Sequence, residues 1–125
     1  MILHINTTKE KGQNIEIKLK ENNKIIDKKN IKAARQQSEK LLFLLDKILK
    51  KNNFDLNKIR AIEVVNQGGT FTSLRIGIVT ANALAYALNI PVYNPKDKEK
   101  KTDKNKYYIV KPEYNREPFI TKPVD

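Results

Sequence analysis

The hydrophobic pattern of the chain changes period twice, and each change marks a new kind of element. Residues 1–6, Met-Ile-Leu-His-Ile-Asn, read as a short strand entering a turn at Thr7-Thr8. From 14 to 19 the alternation is strict, with Ile15, Ile17 and Leu19 on one side and Glu16 and Lys18 on the other. A turn at Glu21-Asn22-Asn23 leads into a further short run at Lys24-Ile25-Ile26-Asp27. Three such segments joined by tight turns make an antiparallel meander.

Over 31–51 the spacing becomes helical. Leu41, Leu42, Leu44, Leu45, Ile48 and Leu49 share one arc, and Lys40, Lys47, Lys50 and Lys51 lie opposite. Phe43 falls on the charged side. Asn52-Asn53 ends this helix, Leu56–Ile59 form one more turn, and Ala61–Val65 read as a strand. A glycine-bearing loop, residues 66–73, runs directly into a second helix over roughly 73–88, closed by Asn89 and Pro91. Projected at a helical pitch, Leu74, Ile78, Ala81, Leu84, Ala85 and Leu88 line one side of it. Ile76, Ala83 and Ala87, with Thr80, line nearly the opposite side, and only Arg75 and Asn82 make a narrow polar strip. A helix that is apolar on two sides needs cover on two sides, and one sheet supplies only one. The second cover is a helix, either from residues 31–51 or from another chain; small side chains there favour close approach.

After Pro91-Val92-Tyr93 the character shifts again. Residues 96–106 carry no apolar side chain and read as a solvated linker. Tyr107–Val110 resume as a candidate strand, and Pro112, Pro118 and Pro123 keep the remainder extended. The expected organisation is one lobe over 1–95, a lysine-rich linker over 96–106, and a strand with an extended tail over 107–125.

Composition narrows the function classes. The chain has 125 residues and a formal net charge of +11, and most of its basic residues are lysine. That excess suits a polyanionic partner through counterion release, and equally suits a general bias toward Lys, Asn and Ile. With no cysteine, disulfide frameworks and thiolate metal sites are excluded. Residues 1–19 lack a basic segment followed by an apolar run, and the apolar stretch 76–88 is interrupted by Thr80 and Asn82. A soluble, cytoplasmic protein with no membrane partner is the expectation.

Candidate chemistry is thin. His4, the only histidine, sits inside the first strand, which suits a structural role. Glu63 faces either solvent or a site. In the loop, Gly68, Gly69, Thr70, Thr72 and Ser73 ahead of a helix N-terminus make a plausible anion cradle, yet no Walker lysine accompanies them. The plain alternative is a tight turn with Thr72 or Ser73 as N-cap.

A resemblance now enters on particular residues. Gly69-Thr70-Phe71-Thr72-Ser73-Leu74-Arg75-Ile76-Gly77, continuing to Ala85-Tyr86-Ala87-Leu88-Asn89-Ile90-Pro91-Val92, is similar to the TsaB (YeaZ) signature, approximately GPGSFTGLRIG and then LAYALNIPV. Ile2-Leu3-His4-Ile5-Asn6-Thr7-Thr8 resembles the family's opening ILxIDTS. Gln37-Ser38-Glu39-Lys40-Leu41-Leu42 resembles HSExLLP, and Lys111-Pro112-Glu113-Tyr114-Asn115-Arg116 is similar to EPxYLR. The resemblance implies an α/β fold, an actin-like ATPase (ribonuclease H-like) lobe with a mixed five-stranded sheet and flanking helices. It also implies a reduced version in which the linker replaces the family's second lobe. By that resemblance the chain is not an enzyme. It would be a non-catalytic scaffold, needing no cofactor, beside a TsaD-type subunit that transfers threonylcarbamoyl from an adenylate to N6 of adenosine in tRNA. The interface carried over comprises Ile76, Thr80, Ala83 and Ala87, with Phe43, and the signature loop comprises Gly68, Gly69, Thr70, Phe71, Thr72 and Arg75.

The departures from the family pattern bear on chemistry. Asn6 stands where the family has an aspartate, and a neutral amide brings no charge to hold hydrated Mg²⁺. Gln67 and Gly68 replace Gly-Pro, Ser73 replaces a glycine and Gln37 a histidine. These changes argue against independent ATP hydrolysis and leave a contact with a TsaE-type ATPase open. The competing expectations are a basic tRNA-binding module, with Tyr107, Tyr108 and Tyr114 stacking bases, and a small actin-like nucleotide-binding protein. A homodimer is expected when the partner is absent.

Overall fold

The structure, a computed structural model, describes residues 1–33, 36–96 and 110–111. Five strands form one mixed sheet in the order β3-β2-β1-β4-β5. The strands are β1 (Ile2–Thr8), β2 (Asn14–Glu21), β3 (Lys24–Lys32), β4 (Ala61–Val64) and β5 (Val92–Tyr93). β1, β2 and β3 pair antiparallel, as the meander predicts, and β4 and β5 add in parallel beyond β1. A short turn, α1 (Lys9–Gly12), with left-handed Glu10 and Lys11, links β1 to β2. The β2–β3 turn puts Asn22 and Asn23 both at positive φ, 53° and 66°. Asparagine tolerates that conformation, which a hairpin of this hand requires.

Helices α2 (Gln37–Lys51) and α3 (Phe71–Leu88) both lie on one face of the sheet, α2 over β2 and β3 and α3 over β1, β4 and β5. That face is built by one parity of β1, β2, β4 and β5: Leu3, Ile5, Ile15, Ile17, Leu19, Ile62, Val64 and Val92, all at most 2% exposed. Leu41, Leu44, Leu45, Ile48 and Leu49 from α2 and Leu74, Ile78, Ala81 and Ala85 from α3 complete one continuous core. Each large aliphatic so enclosed contributes roughly 1.5–3 kcal/mol.

Four expectations need correction. β3 does not stop at Asp27 but runs to Lys32, so the first helix starts at Gln37 rather than 31. The reason is register: Lys28 to Lys32 continue to pair with Lys18 to Asn14, and the strand is long because its partner is. Leu42 is not on the core arc; it is 56% exposed, with its neighbour Leu41 fully buried. β1 continues through Thr7 and Thr8 instead of turning there, since Thr7 is buried under α3. The N-cap of α3 is Thr70, with Ser73 as its partner three residues on. Of the expected linker only Lys96 is described, and of 107–125 only Val110 and Lys111, so the strand expected at 107–110 lies outside the described residues except for Val110.

Candidate functional site

The signature loop folds into a compact junction between β1, α1 and α3. Ser73 N donates to Thr70 Oγ1 and Thr70 N donates to Ser73 Oγ, both at 3.0 Å, a reciprocal capping box. Thr7 Oγ1 donates to the Ser73 carbonyl at 2.6 Å, fastening the helix start to β1. Four residues on, Gly77 lies so close to β1 that a Cβ there would run into Thr7 Oγ1. Gly69, at φ 68°, sits against the backbone of Thr8. Asn6 Oδ1 accepts from the backbone N–H of Thr8 at 2.9 Å and from its hydroxyl at 2.6 Å. Asn6 is thus a turn-forming residue, and the N–H groups of Thr70 and Ser73 at the helix start are taken up by the capping box. Arg75 lies 5.3 Å from the Phe71 ring, and Phe71 and Thr72 are exposed beside it.

The sheet face turned away from the helices is polar and densely paired. Glu63 on β4 is buried; His4 Nδ1 lies 2.5 Å from its Oε1, and Lys20 Nζ donates to the same oxygen at 2.8 Å. Burial pushes the Glu63 carboxyl up, but the hydrogen bonds from His4 and Lys20 outweigh it and hold the group down to about 2. Glu16 on β2 is likewise buried, with Lys9 at 2.6 Å, Lys18 at 3.5 Å and Lys28 at 4.0 Å. Burial acts to raise its carboxyl, and the hydrogen bond and charge from Lys9, with Lys18, bring it below the usual range. Tyr93, beside Glu63 in register, is pushed up to about 12 by burial and by that carboxylate. Glu63 is held ionised by His4 and Lys20, and Glu16 by Lys9 and Lys18. The cluster can hold a sheet face together; a proton donor or acceptor near neutrality is not what such ionisation supplies. Among the described residues no group of His, Cys, Asp and Glu converges as a metal site.

The remaining surface is the outer flank of α3. Ala83 and Ala87 are exposed, as their place opposite the core arc predicts. Ile76 and Thr80, expected with them, are only half-buried, so the exposed arc is rotated toward Val79 and Tyr86, which are 63% and 70% exposed. Those two residues lie outside both aliphatic clusters of the helix, and the signal that marks them is their position between Arg75 and Ala83 on the helix surface. On α2, Phe43 is 56% exposed as expected, with Lys47 Nζ 5.7 Å from its ring, and Leu42 is equally exposed. α2 and α3 are neighbours, yet α2 does not cover this flank. α3 is also long and apolar enough to cross a membrane, with a mean hydropathy of 1.3. Its inner arc is spent on the sheet core, as in the core helix of a folded domain.

A family model described as TsaD: tRNA N6-adenosine threonylcarbamoyltransferase matches residues 27–95, more than half of the chain. The chain belongs to this TsaD family. A tRNA N6-adenosine threonylcarbamoyltransferase from Brachyspira hyodysenteriae is 40% identical over 60 residues, which are 48% of this chain and 18% of that protein. The protein of the same description from Geotalea daltonii is 38% identical over a stretch of the same length. This TsaD-family chain therefore matches less than a fifth of the length of these curated relatives. Among solved structures, YeaZ from Pseudomonas aeruginosa superposes with a TM-score of 0.66 at 24% identity, covering 74% of this chain and 42% of that one. That likeness speaks for the fold, and the actin-like, mixed five-stranded lobe implied by the sequence resemblance is the fold observed. The family model and the curated relatives carry the name of a transferase, whereas the fold match is to YeaZ.

Proposed function

We propose that the chain serves tRNA threonylcarbamoyladenosine synthesis as a non-catalytic docking subunit for a TsaD-type enzyme, through the outer flank of α3. The observation that carries this reading is the apolar arc of Val79, Ala83, Tyr86 and Ala87, left exposed on a helix whose opposite side is in the core. Ala83 and Ala87 let a partner helix approach closely, with Val79 and Tyr86 as knobs beside them. Membership in the TsaD family supplies the pathway, and the pairing of both buried carboxylates among the described residues, Glu16 and Glu63, with lysine or histidine favours a structural over a catalytic role. In the absence of the enzyme the same arc brings two copies together, and a TsaE-type ATPase is the further partner of the assembly.

The test is co-purification with a TsaD-type enzyme, wild type against Ala83→Glu. A carboxylate at the centre of the arc is solvated in the free chain and stranded in a helix–helix contact, so complex formation should fall at least a hundredfold while the melting curve stays in place. If Ala83→Glu binds as well as wild type, the arc is not the docking surface.

A second reading, tRNA binding by the lysine-rich sheet face, is favoured by Lys9, Lys18, Lys20 and Lys28 standing together there. Their charge is partly neutralised by Glu16 and Glu63 beneath, which places this reading second. Retention of tRNA on a filter at low salt, lost steeply as salt rises, is its signature.

A further inference from the structure

The sequence leaves Asn82 unexplained: a residue of poor helix propensity in the middle of a long apolar helix. In the structure its side chain is occupied. Asn82 Nδ2 donates to the Val110 carbonyl at 2.8 Å, and the Val110 N–H donates to Asn82 Oδ1 at 3.0 Å. One amide side chain thereby pairs with both main-chain groups of a single residue, as a neighbouring strand residue would. Asn66, just after β4, adds a bond from Nδ2 to the Lys111 carbonyl at 2.9 Å. All three bonds go to main chain. Lys111 is exposed and its side chain is not read, whereas Val110 is 2% exposed and belongs to the core cluster.

We propose that Asn66 and Asn82 form a clamp for an extended peptide, one that reads backbone at two successive residues and a small aliphatic side chain at the first. In this protein the occupant is the chain's own Val110–Lys111. Such recognition is the β-augmentation mode with two asparagines standing in for a strand edge. The clamp is separate from the docking arc. On the helix surface Asn82 borders buried Ile78 and Ala85 on one side and exposed Val79 and Tyr86 on the other. Filling the clamp closes the inner flank of α3 and leaves Val79 and Tyr86 on the outer flank exposed.

The test uses the full chain. Amide exchange at Val110 should be slow in wild type and at least tenfold faster in Asn82→Ala, with an intermediate effect in Asn82→Asp, which keeps the acceptor for the Val110 N–H and loses the donor to its carbonyl. A second measurement empties the clamp with Val110→Asp and adds a labelled peptide of the 107–114 sequence. That peptide should bind Val110→Asp at least tenfold more tightly than it binds wild type or the Val110→Asp, Asn82→Ala double variant. Equal Val110 exchange in wild type and Asn82→Ala overturns the clamp, and this comparison decides alone if Val110→Asp does not fold. Peptide binding that ignores the Asn82 substitution overturns it as well. Val110 protection found only at concentrations where the chain dimerises overturns the assignment of the occupant to the same chain.

Discussion

Replacing Glu63 by glutamine isolates the contribution of the polar sheet face to stability. The wild-type carboxyl titrates at about 2 in the folded chain, against an ordinary value of 4.5. The folded state therefore favours the ionised form, and the stabilisation is complete above the ordinary value and fades as pH falls toward the folded one. A gap of about 2.5 units corresponds to ~3 kcal/mol at neutral pH, of which ~2 kcal/mol is gone by about pH 3. Glutamine keeps an oxygen for His4 and Lys20 but has no charge to lose. Glu16 and Asp27, whose carboxyls are also held low, titrate in both proteins and cancel in the comparison. Urea unfolding at a series of pH values should show the wild-type advantage over Glu63→Gln shrinking by about 2 kcal/mol between pH 7 and pH 3. An advantage that stays constant over that range would refute the assignment of the pairing energy to the ionised carboxylate.

Other substitutions probe the helix face. Gly77→Ala drives a methyl into Thr7 and should cost about 1–3 kcal/mol by overpacking, visible as a lowered thermal midpoint. Thr70→Ala removes the capping box of α3 and should cost about 1 kcal/mol in a denaturant titration. Adjacent leucines should behave oppositely: Leu41→Ala destabilises by ~2–5 kcal/mol, whereas Leu42→Ala stays within about 0.5 kcal/mol of wild type.

The sheet was legible where the alternation of one strand is self-sufficient. Ile15, Ile17 and Leu19 announce β2 without help, and Asn22-Asn23 announce the turn after it. β3 was legible only over 24–27; its continuation to Lys32 was not, because its helix-facing positions are Asp27, Lys29 and Ile31, matched to Leu19, Ile17 and Ile15. Two of those three are charged. Asp27 is tolerated there because Asn52 Nδ2 donates to it at 2.9 Å and Lys51 lies 3.4 Å away, both from the end of α2. Such a partner is invisible until the helix is docked. Burial of Glu16 and Glu63 was hidden for the same reason, since it depends on strand register to bring lysines alongside. The two-sided character of α3 was readable from its composition, but the orientation of its outer flank was not, because Val79 and Tyr86 fall between the two clusters that the periodicity separates. The grip of Asn82 on Val110 joins residues 28 positions apart, and no local pattern could connect them.

The lysines of β3 have an effect on how copies of the chain can meet. This strand is the last in the sheet order on its side, and Lys24, Lys28 and Lys32 stand exposed along it, with Lys29 half-buried among them. Two such rims brought edge to edge would oppose rows of like charge, a standard protection against strand addition. The repulsion weakens as the Debye length shortens, so concentrated salt relaxes this guard. Handling the protein in dilute buffer therefore discourages ribbon-like stacking, and high-salt storage invites it.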